Sequence, residues 1–199
     1  MTFTLKATTA ILIAATLAGC GGASIEEATL SKAERFDAMA ARVDAMTRSG
    51  PRVVDATTGS ASFTGYSGII AGSEFNRTVL VGDAQLTVNF TGSGSVNGSI
   101  TNLSGLAGVN DYVTGSGTLD DYSGKIIISD GSVGSGNALD ASYDGTLRGN
   151  GDTLALSGTI YGQFKGNPSI RAVELGAYDY ATLNGGLTTA FIAVTAERD

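Results

Sequence analysis

The chain has 199 residues, a net charge of −7 and a sequence pI near 4.5, so a nucleic acid or an anionic lipid surface is a poor candidate partner. It contains no histidine and one cysteine, which removes the commonest general base and metal ligand and leaves no disulfide within the chain. Its 29 glycines and two prolines indicate a turn-rich, all-β domain rather than a helical one.

Residues 1–19 have the layout of a secretory signal peptide. Lys6 is followed by an apolar run that is too short to span a bilayer, since spanning takes about 20 residues. Leu17-Ala18-Gly19-Cys20 resembles the lipobox at which signal peptidase II cuts before an acylated cysteine. We therefore expect a lipid anchor on Cys20, with simple secretion or a retained signal anchor as the alternative. Gly21 is compatible with sorting to the outer membrane, because Asp at this position signals inner-membrane retention in many Gram-negative lipoproteins.

An amphipathic helix is predicted over residues 31–48, after a short linker of small residues. Ser31 with Glu34 fits a capping box, and Arg48-Ser49-Gly50-Pro51 would end the helix. Apolar residues recur along one face at steps of three and four: Leu30, Ala33, Phe36, Ala40, Val43 and Met46. We expect this face to lie across the mouth or the side of the domain that follows, with a partner-binding or spacer role as the alternative.

From Arg52 onward, apolar and polar residues alternate, which is the pattern of half-buried strands. The tripeptides Gly149-Asn150-Gly151 and Asn184-Gly185-Gly186 predict hairpin turns, whereas the glycine-rich stretch 104–124 is interpreted as a long loop. Eight strands are predicted, near 61–71, 78–90, 94–103, 125–133, 141–149, 152–164, 172–183 and 188–197.

Short strands joined by tight turns favour an all-β fold, an eight-stranded antiparallel β-barrel, because closure removes the edges that an open sheet exposes. Inward glycines such as Gly98, Gly145 and Gly162 would let the sheet curve. A two-sheet β-sandwich is the alternative. A transmembrane barrel is disfavoured, because the strands lack aromatic girdles and a continuous apolar outer band. The predicted organisation is a signal peptide at 1–19, a lipidated linker and helix at 20–51 and a barrel at 52–199.

Two segments of the C-terminal half carry a family resemblance. The first is Gly158-Thr159-Ile160-Tyr161-Gly162-Gln163-Phe164-Lys165-Gly166, and the second is Ala172-Val173-Glu174-Leu175-Gly176-Ala177-Tyr178. They resemble the closing barrel motif of transferrin-binding protein B and related lipoproteins, a G-x-F-Y-G-P-x-A stretch followed by A-x-E-x-G-G-x-F. Lys165 stands where the family has tyrosine, and Ala177 stands where it has the second glycine.

The resemblance covers residues 60–198 and implies a surface lipoprotein whose theme is protein capture rather than catalysis, as in the factor H-binding and haem-protein-binding relatives. Transferrin binding itself is not carried over, because its contacts lie in loops that this chain does not match. We expect a lipid-anchored cell-envelope barrel that binds a partner protein, by resemblance one involved in iron or haem acquisition. The alternative is a structural envelope lipoprotein without a captured ligand.

No set of residues points to catalysis. The serines have no histidine to activate them, and the adjacent acids Asp120 and Asp121, which could serve glycoside hydrolysis, are more typical of a solvated turn. We therefore predict a protein that is not an enzyme, with no metal site and no cofactor beyond the covalent lipid on Cys20.

Tyrosines are the predicted binding residues. Tyr112 and Tyr122 flank the predicted long loop, and Tyr178 and Tyr180 share one face of a strand. Tyrosine is favoured at protein interfaces because it supplies rigid contact area with a polar tip, although it is also common in sheets. These four tyrosines are the candidate contacts with the protein partner.

Overall fold

The computed structural model describes residues 23–46, 59–110, 118–134 and 138–199. Within these ranges the chain forms a helix followed by eight strands. The elements are α1 (Ala23–Asp44), β1 (Ser60–Ser73), β2 (Asn76–Asn89), β3 (Ser95–Val109), β4 (Thr118–Val133), β5 (Ala138–Gly149), β6 (Asp152–Lys165), β7 (Ala172–Leu183) and β8 (Gly186–Arg198).

The eight strands form a closed antiparallel barrel in chain order, which confirms the predicted fold class. Each strand pairs with the next along the chain, and β8 closes the barrel by pairing with β1 from Phe63–Arg198 to Ala71–Ala190. The four connections β1–β2, β3–β4, β5–β6 and β7–β8 lie at one end of the barrel, which we call the hairpin end. The chain enters β1 and leaves β8 at the other end, the terminal end.

Alternate side chains of every strand point into the barrel and form its core. The terminal end is filled by three phenylalanines: the ring centroid of Phe164 lies 6.0 Å from that of Phe63 and 5.5 Å from that of Phe90. Because the inward positions are occupied by packed side chains, the interior is a hydrophobic core, as expected for a barrel of eight strands.

Both hairpin turns predicted from Asn-Gly pairs are present. Asn150 and Gly151 have φ values of 51° and 76°, and Asn184 and Gly185 have φ values of 52° and 80°. Two consecutive positive φ angles are what a two-residue type I′ turn requires, and this turn matches the twist of the strands that it joins.

The helix packs on the outside of the barrel by its apolar face. Ala33, Met39 and Val43 are buried, and the ring of Phe36 lies 3.3 Å from the position that a Cβ would take at Gly68 of β1. The missing side chain at this glycine lets the ring approach the sheet. The helix therefore lies across the side of the barrel, one of the two predicted placements.

Polar contacts hold the helix to the barrel along its length. The Thr29 hydroxyl donates a 2.9 Å hydrogen bond to Ser104 of β3, and both residues are buried. Near the last turn, the Arg42 guanidinium donates two 3.1 Å hydrogen bonds to the Glu197 carboxylate of β8. This pairing raises the pKa of Arg42 through hydrogen bonding and then through the charge of Glu197.

The predicted bounds of the helix and of the long loop are wrong. The helix begins at Ala23 rather than at residue 31, so Ser31 lies within it and does not cap it, and the helix ends at Asp44; the predicted stop at 48–51 lies outside the described residues. The predicted loop at 104–124 is also wrong at both ends, because β3 continues to Val109 and β4 begins at Thr118. A β-bulge at Asn102, whose φ is 51°, shifts the alternation of inward and outward residues. The alternation read from the sequence therefore does not continue into the rest of β3.

Among the described residues, no helix has the length and hydropathy needed to cross a membrane.

Candidate functional site

Three exposed tyrosines lie on the outer face of β6 and β7, next to β8; another exposed aromatic residue, Phe75, lies apart from them in the β1–β2 turn. Tyr161, Tyr178 and Tyr180 are 63%, 75% and 67% exposed, and Leu187 is 78% exposed. Phe191 of β8 pairs with Tyr178 across the sheet. We call these five residues the outer tyrosine surface.

Strand alternation explains why this surface forms. On β7, the odd-numbered Val173, Leu175, Ala177 and Ala181 point inward, so the even-numbered Tyr178 and Tyr180 point outward. Tyr161 pairs with Gly176, two residues from Tyr178, and therefore lies diagonally beside it. Diagonal neighbours on one face are within reach of aromatic side chains, so the tyrosines form a continuous surface.

The structure separates the four tyrosines predicted to bind a partner. Tyr178 and Tyr180 share an exposed face, as predicted. Tyr122 lies on β4 rather than in a loop, and its side chain points into the barrel with 3% exposure. Because it is buried, Tyr122 contributes nothing to the exposed surface. Tyr112 and Cys20 lie outside the described residues.

Sequence reasoning did not select Tyr161 or Leu187. A signal for Tyr161 was available, because it alternates with the inward residues Ile160 and Gly162 and so must point outward. Leu187 follows the predicted Asn184-Gly185 turn, and its register opposite the outward residue Thr182 became visible only once β7 and β8 were paired.

A shallow groove of about 290 Å³ borders the outer tyrosine surface and is lined by residues of β5, β6, β7 and β8. It is lined by Asp144, Gly145, Thr146, Ala155, Leu156, Ser157, Tyr180, Ala181, Thr182 and Leu187. Asp144 is the one charged residue of this lining, and it makes no hydrogen bond or ion pair within the described part of the chain. Tyr180 and Leu187 belong both to the groove and to the surface, so a ligand could contact the two together.

On the inner side of the sheet beneath the groove, the side chains of Tyr143 and Asp179 point into the barrel and converge near Gly158. Gly158 lies between them: a Cβ there would be 2.0 Å from Asp179 Oδ2 and 2.9 Å from Tyr143 Oη. Tyr143 is 3% exposed, and its hydroxyl has no hydrogen-bond partner. Burial, followed by the negative charge of Asp179, raises the pKa of Tyr143 to about 12, so this phenol is neutral near pH 7.

The adjacent acids Asp120 and Asp121 serve the structure of the hairpin end. Asp120 lies on β4, where its carboxylate accepts hydrogen bonds from the backbone N–H groups of Asp121 and of Asn150 in the β5–β6 turn. These bonds tie β4 to the neighbouring hairpin. In the part of the chain that the structure describes, no group of three or more acidic, cysteine or histidine side chains is arranged to hold a metal ion.

Lys165 joins the helix to the barrel. Its side chain is largely buried, and its Nζ lies 3.2 Å from Glu174 and 4.0 Å from Asp44 of α1. Lys165 therefore has one acidic partner on the barrel and another on the helix.

Comparison with family models, with curated proteins and with solved structures finds no match for this chain.

Proposed function

We propose that this chain is a lipid-anchored protein of the bacterial outer membrane whose barrel binds a partner protein through the outer tyrosine surface. The observation that carries the proposal is the exposure of Tyr161, Tyr178 and Tyr180, each 63% or more, on adjacent paired strands. Tyrosines held on a rigid sheet present a large contact area at low entropic cost, which is why they are enriched at protein interfaces.

The N-terminal sequence supports the proposed location. A charged start, a short apolar run and Leu17-Ala18-Gly19-Cys20 together favour export followed by acylation of Cys20. Several acyl chains on one cysteine would hold the protein at a membrane stably, because each buried CH₂ contributes about 0.8 kcal/mol. The resemblance to transferrin-binding protein B makes iron- and haem-carrying proteins the first partners to test.

The alternative is a structural envelope lipoprotein that captures no ligand. Both proposals treat the chain as a protein without enzymatic activity, for which the lack of histidine in the whole sequence is the main support. They differ in one respect: only the first gives the outer tyrosine surface a saturable partner.

Capture experiments with the acylated full-length protein separate the two proposals. Iron- and haem-carrying proteins of host fluid would be passed over immobilised wild type and over Y178A/Y180A. We expect a stoichiometric, saturable partner whose affinity falls at least about thirtyfold in the variant, because one interface hot spot contributes about 2 kcal/mol.

The matched control is I127A, since Ile127 is an exposed apolar residue on the outer face of β4, opposite Asp144 of the groove and not part of the outer tyrosine surface. It should bind the partner like wild type. Absence of any saturable partner would support the structural alternative. Equal capture by Y178A/Y180A and wild type would show that the partner does not bind through the outer tyrosine surface.

The proposed anchor is tested by mass spectrometry of the mature N-terminus. We expect a chain that begins at Cys20 and carries acyl groups, and we expect C20S to leave the membrane fraction. An unmodified mature N-terminus in the wild type would contradict the anchor without bearing on the outer tyrosine surface.

A further inference from the structure

The barrel wall around the outer tyrosine surface carries no charge. Its outward positions include no charged residue from Thr153 to Gln163 on β6, from Gly176 to Thr182 on β7 and from Leu187 to Thr195 on β8. We call these outward positions the neutral face. The chain as a whole has 19 acidic and 12 basic residues, so its charges lie elsewhere. Because electrostatic complementarity selects binding partners, the neutral face favours an uncharged ligand.

Hydroxyl groups are the main polar groups of the neutral face. Ser157 and Thr159 are exposed, and Thr182 and Thr189 are half-buried. Within the described part of the chain, none of these four hydroxyls has a hydrogen-bond partner. Each can donate one hydrogen bond and accept others. The neutral face can therefore pair with a ligand that itself carries many hydroxyl groups.

The three exposed tyrosines form a line along the neutral face. Tyr178 and Tyr180 lie two residues apart on β7, a distance of about 7 Å. Tyr161 pairs with Gly176 and so lies diagonally beside Tyr178, at about 7–8 Å. The face of an aromatic ring is electronegative, and the C–H groups on the face of a sugar ring carry the opposite partial charge. The line can therefore take successive sugar rings of one chain.

The groove continues this line beyond Tyr180. Its volume of about 290 Å³ lies at the small end of ligand pockets, and it is shallow, so it suits one ring of a longer chain. Asp144 pairs with Ser157 across the sheet, and both line the groove. A carboxylate beside a hydroxyl can accept hydrogen bonds from neighbouring hydroxyl groups of a sugar ring.

A bare polypeptide suits the neutral face less well than a glycan does. About 25–35% of the residues on a typical protein surface are charged, and a charge that is desolvated without a partner is costly. A neutral glycan has no charge to desolvate. We infer that the outer tyrosine surface and the groove beside it bind a neutral glycan chain carried by the partner protein. The inference rests on the proposed function for the protein that carries the glycan.

The first test is an NMR titration of the isotope-labelled full chain with four neutral trisaccharides, built from glucose, galactose, mannose or N-acetylglucosamine. The galacturonic acid trisaccharide is the charged match of the galactose one. We expect at least one neutral trisaccharide to give saturable shifts of the Ser157, Tyr178 and Tyr180 amides, with a Kd on the order of 1 mM. Absence of a saturable shift with every neutral probe, or equal binding of the charged one, would overturn the inference.

Variants of the exposed tyrosines test whether the rings carry the binding. Y178A/Y180A should weaken trisaccharide binding at least about tenfold, whereas Y178F/Y180F keeps both rings and should stay within about threefold of wild type. F75A is the matched control, because Phe75 is an aromatic residue that is 67% exposed in the β1–β2 turn, apart from the neutral face. Equal binding by Y178A/Y180A and wild type, or an equal loss in the alanine and phenylalanine variants, would overturn the inference.

Removal of the glycans from the captured partner separates this inference from the proposed function. We expect the affinity of the partner to fall at least about tenfold after enzymatic deglycosylation. Equal capture of the native and the deglycosylated partner would overturn the inference and leave the proposed function standing. Trisaccharide binding by a chain that captures no protein would overturn the proposed function and support the neutral face as a site for a free glycan.

Discussion

Among the described residues, Tyr122 and Tyr143 are the tyrosines that point into the barrel, and burial changes the acidity of their phenols. Tyr122 and Tyr143 are each 3% exposed, and burial is the main cause that raises the pKa of both to about 12. The carboxylates of Asp152 and Asp120 act in the same direction on Tyr122, and that of Asp179 acts so on Tyr143. The phenolate form is therefore disfavoured in the folded barrel.

The difference in tyrosine pKa between the folded and the unfolded chain predicts a loss of stability in alkaline solution. The unfolded chain releases these protons near the ordinary pKa of 10.0, whereas the folded chain holds them to about 12. The contribution of both phenols is therefore intact below pH 10 and is lost as the pH rises from 10 through about 12. Urea unfolding across this window should show the fall in wild type and a shallower fall in Y122F/Y143F.

The control for the alkaline window is Y178F, which removes a phenol that is 75% exposed. Its free energy of unfolding should follow the wild-type pH dependence. If the free energy of unfolding of Y122F/Y143F falls with pH as much as that of the wild type, groups other than these two phenols cause the fall.

At the scale of elements, one asparagine joins two hairpins. Asn184 takes the first position of the β7–β8 turn, and its side-chain Oδ1 accepts a 2.8 Å hydrogen bond from the Thr153 N–H at the start of β6. Its Nδ2 donates a 2.6 Å hydrogen bond to Asp152. The residue therefore fixes both its own turn and the neighbouring one.

Substitutions at Asn184 should separate the two roles. N184G keeps the positive φ and loses the side-chain bonds, so we expect a loss of about 1–3 kcal/mol in the free energy of unfolding. N184A also places an unfavourable residue at positive φ and should lose about 1 kcal/mol more. Urea denaturation measures both variants, and equal stability of N184G and wild type would show that the side-chain bonds contribute nothing.

The elements that the sequence predicted well are those with an undisturbed period. The β5–β6 and β7–β8 hairpins were predicted because alternation is clean on both sides of an Asn-Gly pair, and the same alternation placed Tyr178 and Tyr180 on one face. The end of β3 was missed because the bulge at Asn102 changes which residues point inward. The groove was not predictable, because its lining comes from four strands, and the sequence alone does not give the register in which they pair.

At the scale of the molecule, closure depends on the contact between the first strand and the last. β1 and β8 are brought together at Gly65, where a Cβ would lie 2.0 Å from the Thr195 carbonyl oxygen and 2.5 Å from the Ala196 Cα. These are backbone atoms of the partner strand, so they cannot move aside without separating the strands. The barrel can close at this point only with a glycine.

We therefore expect G65A to destabilise the whole barrel by about 4 kcal/mol or more, in the range of severe core substitutions. The control is G134A, because a Cβ at Gly134 would make only an ordinary 3.7 Å contact. Thermal unfolding followed by circular dichroism compares the two variants with wild type. A G65A variant as stable as wild type would show that the two strands can shift apart at little cost.

With the proposed acylation of Cys20, the attachment of α1 would set how far the barrel can stand from a bilayer. Cys20 precedes the first helical residue, Ala23, by three positions, a span of at most about 11 Å. The helix then reaches its bond to Ser104 at Thr29, after about 9 Å of further rise. An acylated Cys20 would thus hold the barrel close to the lipid headgroups without a long stalk, and a partner protein of the proposed kind would have to approach the membrane plane itself.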